Sequence, residues 1–434
     1  MKKFLCLILT LLLILSMVAC SKSEDGGHYG SSSGKPGKGD GSLSIDGVNG
    51  EADKGGLSGW IDSIFGDKAE VEDAPMEAPA VDDAVGDAGD IKVESENNQT
   101  GAGMLTAGEW KDLKNIDFWK NVLNNNQWHQ LMEKRNLFAR NIVHVKVLDN
   151  NSNPCFNIPV ELKDDKNNVV YTSVTDINGD AFLLYDLNNS GEKTEKVRVK
   201  NIEYNVTNGG VTTIVLDVAS SPKQLDLLFM IDTTGSMGDE LRYLQAELRD
   251  VIRKVSQSSE ELSINLSVNF YRDTGDEYVV RDFEFTSDIE QAIKDLNKQT
   301  SDGGGDYPEA VHVALENIVD QHQWRNESIK LCFMVLDAPP HSESEIQGIN
   351  QAMTSDIKQM SAKGIRFIPV ASSGVDTETE FLLRSWAVMT GGTYTFLTDH
   401  SGIGNSHLEP TIGEYEVEKL NDLLVRVISE YIGN

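Results

Sequence analysis

Three residues with oxygen-bearing side chains, Asp232, Thr234 and Ser236, follow an apolar run at alternate positions. The run is "LDLLFMI", and the chain continues as "DTTGSMGDEL". An aspartate at such a place has three chemical roles open to it: a catalytic carboxylate, a metal ligand or the cap of the next helix. Carboxylate and hydroxyl oxygens are the ligands that a small hard cation such as Mg²⁺ prefers. Gly235 permits the tight turn that would bring these oxygens together.

Two further acidic segments follow in the chain. "SDGGGDYPEA" contains Asp306 and precedes a predicted helix, while "DAPPH" places Asp337 directly after the apolar run "LCFMVL". Ligands of parallel sheets bind outside the carboxyl ends of the strands. A capping role explains Asp232 alone, whereas a metal site explains why all three aspartates reach one edge. The candidate metal ligands are therefore Asp232, Thr234, Ser236, Asp306 and Asp337.

The elements that must position these residues alternate between strands and helices from residue 224 to residue 434. "LDLLFMI", "IKLCFMVL" and "IRFIPVA" are apolar apart from one charged residue at the second position of each, as expected of strands that are buried on both faces. The first helix between strands carries one apolar face: Leu241, Leu244, Leu248 and Ile252. This alternation predicts an α/β fold with a doubly wound, mostly parallel sheet.

The three segments, in this order and each at a strand end, resemble the von Willebrand factor type A family. In that family, which has a Rossmann-like fold, they form the metal-ion-dependent adhesion site. The resemblance covers residues 225–431. It implies a divalent cation, with Mg²⁺ as the first choice and Ca²⁺ or Mn²⁺ as alternatives. It also implies a protein partner that completes the metal coordination with a carboxylate.

Asp306 departs from the commonest pattern of that family, in which a metal-binding threonine occupies this place. Three carboxylates outweigh the charge of a divalent cation, whereas two would balance it. The additional negative charge should weaken the contact with a partner's carboxylate. Asp306 could instead act through water, or favour Ca²⁺ or Mn²⁺, and the sequence leaves these alternatives open.

Other polar residues nearby could belong to a catalytic site. We interpret His341, which follows two prolines, as a loop residue that lines the site, and we leave Asp273, Asp276 and Glu277 outside it. An aspartic protease needs Asp-Thr-Gly, and here a second threonine intervenes; a haloacid-dehalogenase phosphatase needs Asp-x-Asp, and residue 234 is Thr. We therefore expect a binding protein and not an enzyme. A scaffold that the metal merely stabilises, and an aspartate-dependent hydrolase, are the alternatives.

The region before this domain has two parts. Residues 141–220 alternate with a period of two, as in "NIVHVKVLD", and six or seven short strands predict an antiparallel β-sandwich. The pattern resembles carboxypeptidase-regulatory-like and Ig-like modules, a likeness of fold that implies no activity. Residues 104–140 predict an amphipathic helix packed on the next domain, because their apolar residues have helical spacing. These residues are Trp110, Leu113, Ile116, Trp119 and Leu123.

The N-terminal region predicts export and a lipid anchor. Residues 1–19 have two lysines, an apolar run and small residues, the plan of a signal peptide. "MVAC" resembles the lipobox of bacterial lipoproteins, which implies cleavage before Cys20 and a lipid on its sulfur. Residues 20–103 are rich in Gly, Ser and acidic residues and predict a flexible, disordered tether. We expect a protein of the cell envelope, anchored to a bacterial membrane and facing the periplasm or the exterior.

The charge balance and the cysteines exclude two further classes. The 434 residues include 38 Lys and Arg against 69 Asp and Glu, a formal net charge of −31. Nucleic-acid binding needs basic patches on the protein, so we expect no nucleic-acid partner. Only Cys155 and Cys332 lie outside the first 20 residues, and two distant cysteines make no disulfide framework.

Overall fold

A computed structural model describes residues 105–207, 209–218, 221–259, 261–401 and 407–434, with the side chain of residue 401 left out. The predicted signal peptide, the predicted lipidation site Cys20 and the predicted tether lie outside the described residues. Within the described part of the chain, no helix combines the length and the apolar character needed to cross a bilayer.

Among the described residues, one eight-stranded sheet holds the carboxyl ends of interest, in the strand order β11-β10-β9-β12-β13-β14-β1-β15. Its centre consists of parallel strands: β9 (Gln224–Asp232), β10 (Ser263–Tyr271), β12 (Ile329–Leu336), β13 (Ile365–Ala371) and β14 (Tyr394–Thr398). Antiparallel strands flank this centre: β1 (Thr106–Trp110), β11 (Val280–Arg281) and β15 (Glu418–Lys419). The predicted α/β fold with a mostly parallel sheet is confirmed.

Helices cover both faces of this sheet. One face carries α3 (Gly238–Ser258), α4 (Ile289–Leu296) and α8 (Leu420–Ile432). The other carries α5 (Val311–Asp320), α6 (Ile349–Lys363) and α7 (Thr377–Thr390). Alternate residues of β9 enter the two apolar clusters, Phe229 on the first face and Met230 on the second. Burial of both faces explains why residues 227–231 of this strand are an unbroken apolar run in the sequence.

Residues 105–140 differ from the single amphipathic helix predicted for residues 104–140. They begin with β1, which pairs with β14 from Thr106↔Thr398 to Trp110↔Tyr394 and also pairs with β15. A short 3-10 helix and two α-helices follow: Asp112–Lys114, α1 (Ile116–Leu123) and α2 (Asn126–Arg135). The strand forms because it satisfies the backbone groups along β14, which would otherwise be an open edge.

An inserted β-region separates β1 from β9 in the chain. Within the described part of this region, strands form sheets of order β5-β2-β8 and β4-β3-β6-β7. Their bounds are β2 (Ile142–Asp149), β3 (Pro159–Asp164), β4 (Val169–Val174), β5 (Asp180–Leu184), β6 (Thr194–Val199), β7 (Ile202–Asn205) and β8 (Val211–Leu216). The pair β2–β8 is parallel, which differs from the antiparallel pairing predicted throughout. The chain passes through the second sheet between these two strands, and β8 then runs in the same direction as β2.

Candidate metal centre

The loop after β9 holds Asp232, Thr234 and Ser236 as one group at the carboxyl end of the central strands. Asp232 is the last residue of β9, and it is 0% exposed. Its Oδ1 accepts hydrogen bonds from Thr234 N at 2.8 Å and from Thr234 Oγ1 at 2.7 Å. Thr234 Oγ1 lies 3.4 Å from Ser236 Oγ. Helix α3 begins at Gly238 with Met237 as its N-cap residue, so Asp232 is not the cap of that helix.

Asp337 reaches the same place from the end of β12 and is 5% exposed. Burial raises the pKa of Asp232 to about 7, and the charge of Asp337 is the second cause. Burial also raises the pKa of Asp337 to about 6, although the hydroxyl of Ser236 acts in the opposite direction. The two aspartates therefore face each other in a setting that disfavours two anions unless a cation lies between them.

Several carboxylate oxygens at this end of the sheet have no hydrogen-bond partner within the described chain. They are Asp232 Oδ2, Glu240 Oε2, Glu309 Oε2 and Asp337 Oδ1. A buried acceptor without a partner costs about 1–3 kcal/mol, so such atoms are rare unless an ion or water satisfies them. Carboxylate and hydroxyl oxygens are a donor set that suits a hard divalent cation. The residues present therefore fit the cation that the sequence predicts.

The carboxylates do not form a complete metal cage. Among the described residues, no group of three His, Cys, Asp or Glu side chains lies close enough to hold an ion. Asp232 and Asp337 would need the hydroxyls of Thr234 and Ser236, and water, to complete the coordination. Magnesium sites commonly keep several waters and use one or two carboxylates, so this donor set agrees best with Mg²⁺.

Glu309 and Asp306 occupy opposite environments. Asp306, a predicted ligand, is exposed, and its carboxylate makes no hydrogen bond or ion pair with any described residue. Glu309 is 4% exposed. Burial raises the pKa of Glu309 to about 9, and the charges of Asp232 and Asp337 contribute to this rise. The structure therefore leaves Asp306 outside the group and brings in Glu309, which the sequence interpretation missed.

A long-range contact places Glu309 at the site. Its backbone N donates to Pro339 O at 3.0 Å, and Glu309 and Pro340 form an isolated parallel bridge. The side chain consequently follows the loop that carries Asp337. One signal in the sequence could have indicated Glu309: it is the single charged residue in "PEAVHVAL", a stretch that otherwise has the apolar spacing of a buried helix start.

The glycine-rich loop packs backbone to backbone against the loop that follows β9. Gly235 N donates to Gly303 O at 3.1 Å, and Asp302 N donates to Thr233 O at 3.0 Å. Gly303 has a φ of +80°, and a Cβ there would lie 2.4 Å from Asp276 Oδ1. Only glycine accepts both this conformation and this close approach.

Two aspartates that the sequence interpretation left outside the site support its loops. Asp276 Oδ2 accepts from Gly304 N at 3.0 Å and from the backbone N of Asp273 at 3.1 Å. Asp273 Oδ1 lies 2.8 Å from His341 Nε2. Asp273 therefore holds the His341 side chain in its loop, and Asp276 holds the backbone of the glycine-rich loop. Glu277 is exposed and lies 3.5 Å from Arg281 in an ion pair.

Comparison with known proteins identifies the domain that carries this site. Residues 226–392 match the family model of the von Willebrand factor A domain. The chain contains a von Willebrand factor A domain. The match begins in β9 and ends just after α7, so it includes all three loops of the site. It confirms the resemblance of this region of the chain to that family.

Part of the chain is also similar to individual proteins. One is an ariadne-like RING finger protein from Acanthamoeba polyphaga mimivirus, 28% identical over 187 residues. The aligned region is 40% of this chain and 18% of the viral protein, so the chain spans less than a fifth of that relative. The crystal structure of the conserved hypothetical protein BatB from Bacteroides thetaiotaomicron covers 48% of this chain and 100% of its own, at 12% identity and a TM-score of 0.33.

Proposed function

We propose that the von Willebrand factor A domain binds a divalent cation at the carboxyl end of its sheet and holds a protein partner through it. Domains of this family commonly mediate protein–protein interaction, which supports a binding function. The observation that carries the metal part is the group of buried, unpartnered oxygens around Asp232 and Asp337. A cation would satisfy these oxygens and offset the repulsion between the two carboxylates.

Each residue of the site would contribute in a different way. Asp232 and Asp337 would supply the charge, Thr234 and Ser236 would supply neutral oxygens, and Glu309 would accept hydrogen bonds from metal-bound water. Mg²⁺ is the cation that we propose, with Ca²⁺ and Mn²⁺ as alternatives. When bound, the cation offers an open position to an oxygen of the partner, such as a carboxylate. Ser236 is exposed while Asp232 and Thr234 are buried, so the partner would approach from the side of Ser236.

The same proposal includes the place where the protein acts. The signal-like residues 1–19 and the lipobox-like Met17–Cys20 support lipidation of Cys20 and attachment to a bacterial membrane. Residues 20–103 would then hold the binding domain away from the lipid surface. This arrangement suits a protein that presents a binding site to a partner in the periplasm or outside the cell.

A hydrolase that uses Asp232 is the second candidate, because paired buried carboxylates with raised pKa values also serve acid–base catalysis. Two features favour the metal site. Asp232 is fully buried, which hides it from a substrate, and its Oδ1 already accepts two hydrogen bonds from Thr234.

Calorimetric titration of Mg²⁺, Mn²⁺ and Ca²⁺ into the full chain tests the metal site. We expect at least one of them to bind, and we expect Asp232→Asn and Asp337→Asn each to weaken its affinity by at least about 100-fold, because each removes a charged ligand. Asp164→Asn, in a turn of the inserted β-region, is the control and should bind as the wild type does. Absence of binding by the wild type would reject the metal proposal, and unchanged affinity in both site variants would reject the site.

Glu309→Gln should weaken the metal affinity more than Asp306→Asn does. Glu309 is buried beside the two aspartates, so replacement of its carboxyl group by an amide should cost about 10-fold in affinity, as removal of an outer-shell partner does. Asp306 is exposed, and solvent screening should keep its effect below about 2-fold. The same titration measures both variants. The reverse order of effects would show that the glycine-rich loop rearranges and that Asp306 is the ligand.

The scaffold alternative predicts a different outcome for Asp232→Asn. If the metal only stabilises the fold, this variant should lose the rise in melting temperature on metal addition and keep its affinity for the partner. If the proposal is right, Asp232→Asn should lose both the metal-dependent rise in melting temperature and the affinity for the partner. Thermal denaturation with and without Mg²⁺, beside binding to a partner captured with the wild type, separates the two cases.

A further inference from the structure

We infer that Arg135, in α2 of the N-terminal segment, is a positioning residue for the metal site. Residues 105–140 would then contribute to the metal affinity as well as to the fold. This inference rests on the proposed metal function. It concerns the loop "DAPPH", Asp337 to His341, which carries one of the two carboxylates and follows β12 directly. Nothing in the local sequence of α2 connects it with this loop, which lies about 200 residues further along.

The chemistry of the loop determines how it can be held. Pro339 and Pro340 have no backbone N–H, so the loop has few donors with which to anchor itself. It must be held through its carbonyl oxygens. Glu309 N donates to the first of these, Pro339 O, at 3.0 Å. The next two carbonyls need donors from another part of the molecule.

Arg135 supplies these donors from one side chain. Its Nη2 donates to Pro340 O at 3.0 Å, and its Nη1 donates to His341 O at 2.8 Å. Its Nε donates to Glu378 Oε1 at 2.6 Å, which balances the charge of a residue that is only 3% exposed. Because a guanidinium is a rigid planar fork, these contacts fix the relative positions of the loop and the start of α7.

The position of Asp337 depends on this backbone. Its Oδ1 has no hydrogen-bond partner within the described chain, so the protein does not hold that oxygen directly. The hydroxyl of Ser236 bonds to the Asp337 carboxyl, while Glu309 and Arg135 hold the backbone that carries this side chain. Partners that orient a ligand in this way typically account for about 10- to 100-fold in metal affinity.

The neighbouring lysine offers a matched control. Lys134 Nζ donates to the same Glu378 at 2.7 Å, but its side chain is half exposed and makes no contact with the loop among the described residues. The two residues share an acidic partner and a helix turn. They differ in that only Arg135 contacts Pro340 and His341.

The test is titration of Mn²⁺ into the full chain, with the affinity read by calorimetry. Arg135→Gln should weaken Mn²⁺ affinity by about 10-fold or more. Arg135→Lys keeps the positive charge and one hydrogen-bond donor, so it should recover part of this loss. Lys134→Gln should change the affinity by less than about 2-fold, because an ion pair at the surface contributes little. Circular dichroism and the melting temperature in EDTA show that each variant is folded.

The outcomes distinguish this inference from the proposed function. If the wild type binds no Mn²⁺, Mg²⁺ or Ca²⁺, the proposed function fails and the inference fails with it. If the wild type binds and folded Arg135→Gln binds equally well, the inference is overturned while the proposed function stands. A lower melting temperature in EDTA without a change in affinity also overturns it, because Arg135 would then be purely structural. If Arg135→Gln does not fold, Arg135→Lys is compared with Lys134→Gln by the same criteria.

Discussion

A chain that begins at Asn141 is expected not to form a stable α/β domain, although the family match begins only at residue 226. Such a chain lacks β1, which lies between β14 and β15 in the large sheet. It also lacks Trp119 and Trp128, both fully buried. Removal of a buried tryptophan costs about 3–5 kcal/mol, and a whole domain is stable by only about 5–15 kcal/mol. The loss of both side chains and of a paired strand should therefore exceed what the remainder can tolerate.

The measurement compares two truncated chains by thermal denaturation followed with circular dichroism. The control begins at residue 105 and keeps β1, α1 and α2, and we expect it to melt cooperatively. The chain that begins at Asn141 should be insoluble or should unfold without a cooperative transition. A cooperative melt of the shorter chain within a few degrees of the control would show that residues 105–140 are a separate appendage.

Arg384→Met is expected to destabilise the α/β domain more than any of the substitutions at the metal site. Arg384 is 0% exposed, and its guanidinium donates to both oxygens of Asp112, at 2.7 and 2.9 Å. It also donates to Glu380 Oε1 at 2.9 Å, within the same buried group. Replacement with methionine would leave two buried carboxylates without a cation. Breaking a buried ion pair from one side costs about 3–5 kcal/mol.

The loss should also grow as the pH rises. Burial raises the pKa of Glu380 above its ordinary value, and the charge of Arg384 opposes this rise. Without the arginine, Glu380 should titrate at a still higher pH in the folded state. A carboxyl group with a raised folded pKa stabilises the fold below its unfolded pKa, and this contribution disappears as the pH rises through the folded value. The variant should therefore differ from the wild type less at pH 5 than at pH 8.

Arg426→Met provides the matched control for this prediction. Arg426 also faces several carboxylates, including Glu109 at 2.7 Å and Glu430 at 2.9 Å, but its side chain is 38% exposed. Ion pairs in contact with solvent contribute about 0–1 kcal/mol, so this variant should lose little. Urea denaturation at pH 5 and pH 8 measures both variants. Equal losses for the two substitutions would contradict the assignment of the effect to burial.

The main features of the fold could be predicted because they depend on local burial. Strands β9, β12 and β13 are covered on both faces, so their sequences are mostly apolar, while α3 has one apolar face. Asp232 and Asp337 could be placed together for a related reason. Both lie at the ends of neighbouring parallel strands, and parallel strands end at the same edge of a sheet.

The tertiary structure decided which other residues join them. Glu309 and Asp306 are three positions apart in the chain, and no local pattern chooses between them. The contact of Glu309 with Pro339 turns the glutamate inward and leaves the aspartate in solvent. The sequence therefore predicted the two carboxylates at strand ends, Asp232 and Asp337. Identification of Glu309 as the third acidic side chain required the position of the loop that contains Pro339.

The role of residues 105–140 was likewise decided by contacts between distant parts of the chain. The spacing of Trp110 and its neighbours indicated a helix, but Trp110 lies in a strand because β14, almost 300 residues further on, offers an open edge. Arg135 lies at the end of an ordinary helix, and only packing brings it to the carbonyls of Pro340 and His341. The sequence by itself determined the class of fold and the core of the candidate site, because a residue pattern reports whether each position is buried. Which residues contact those positions depends on how the whole chain packs, and a local sequence pattern does not contain that information.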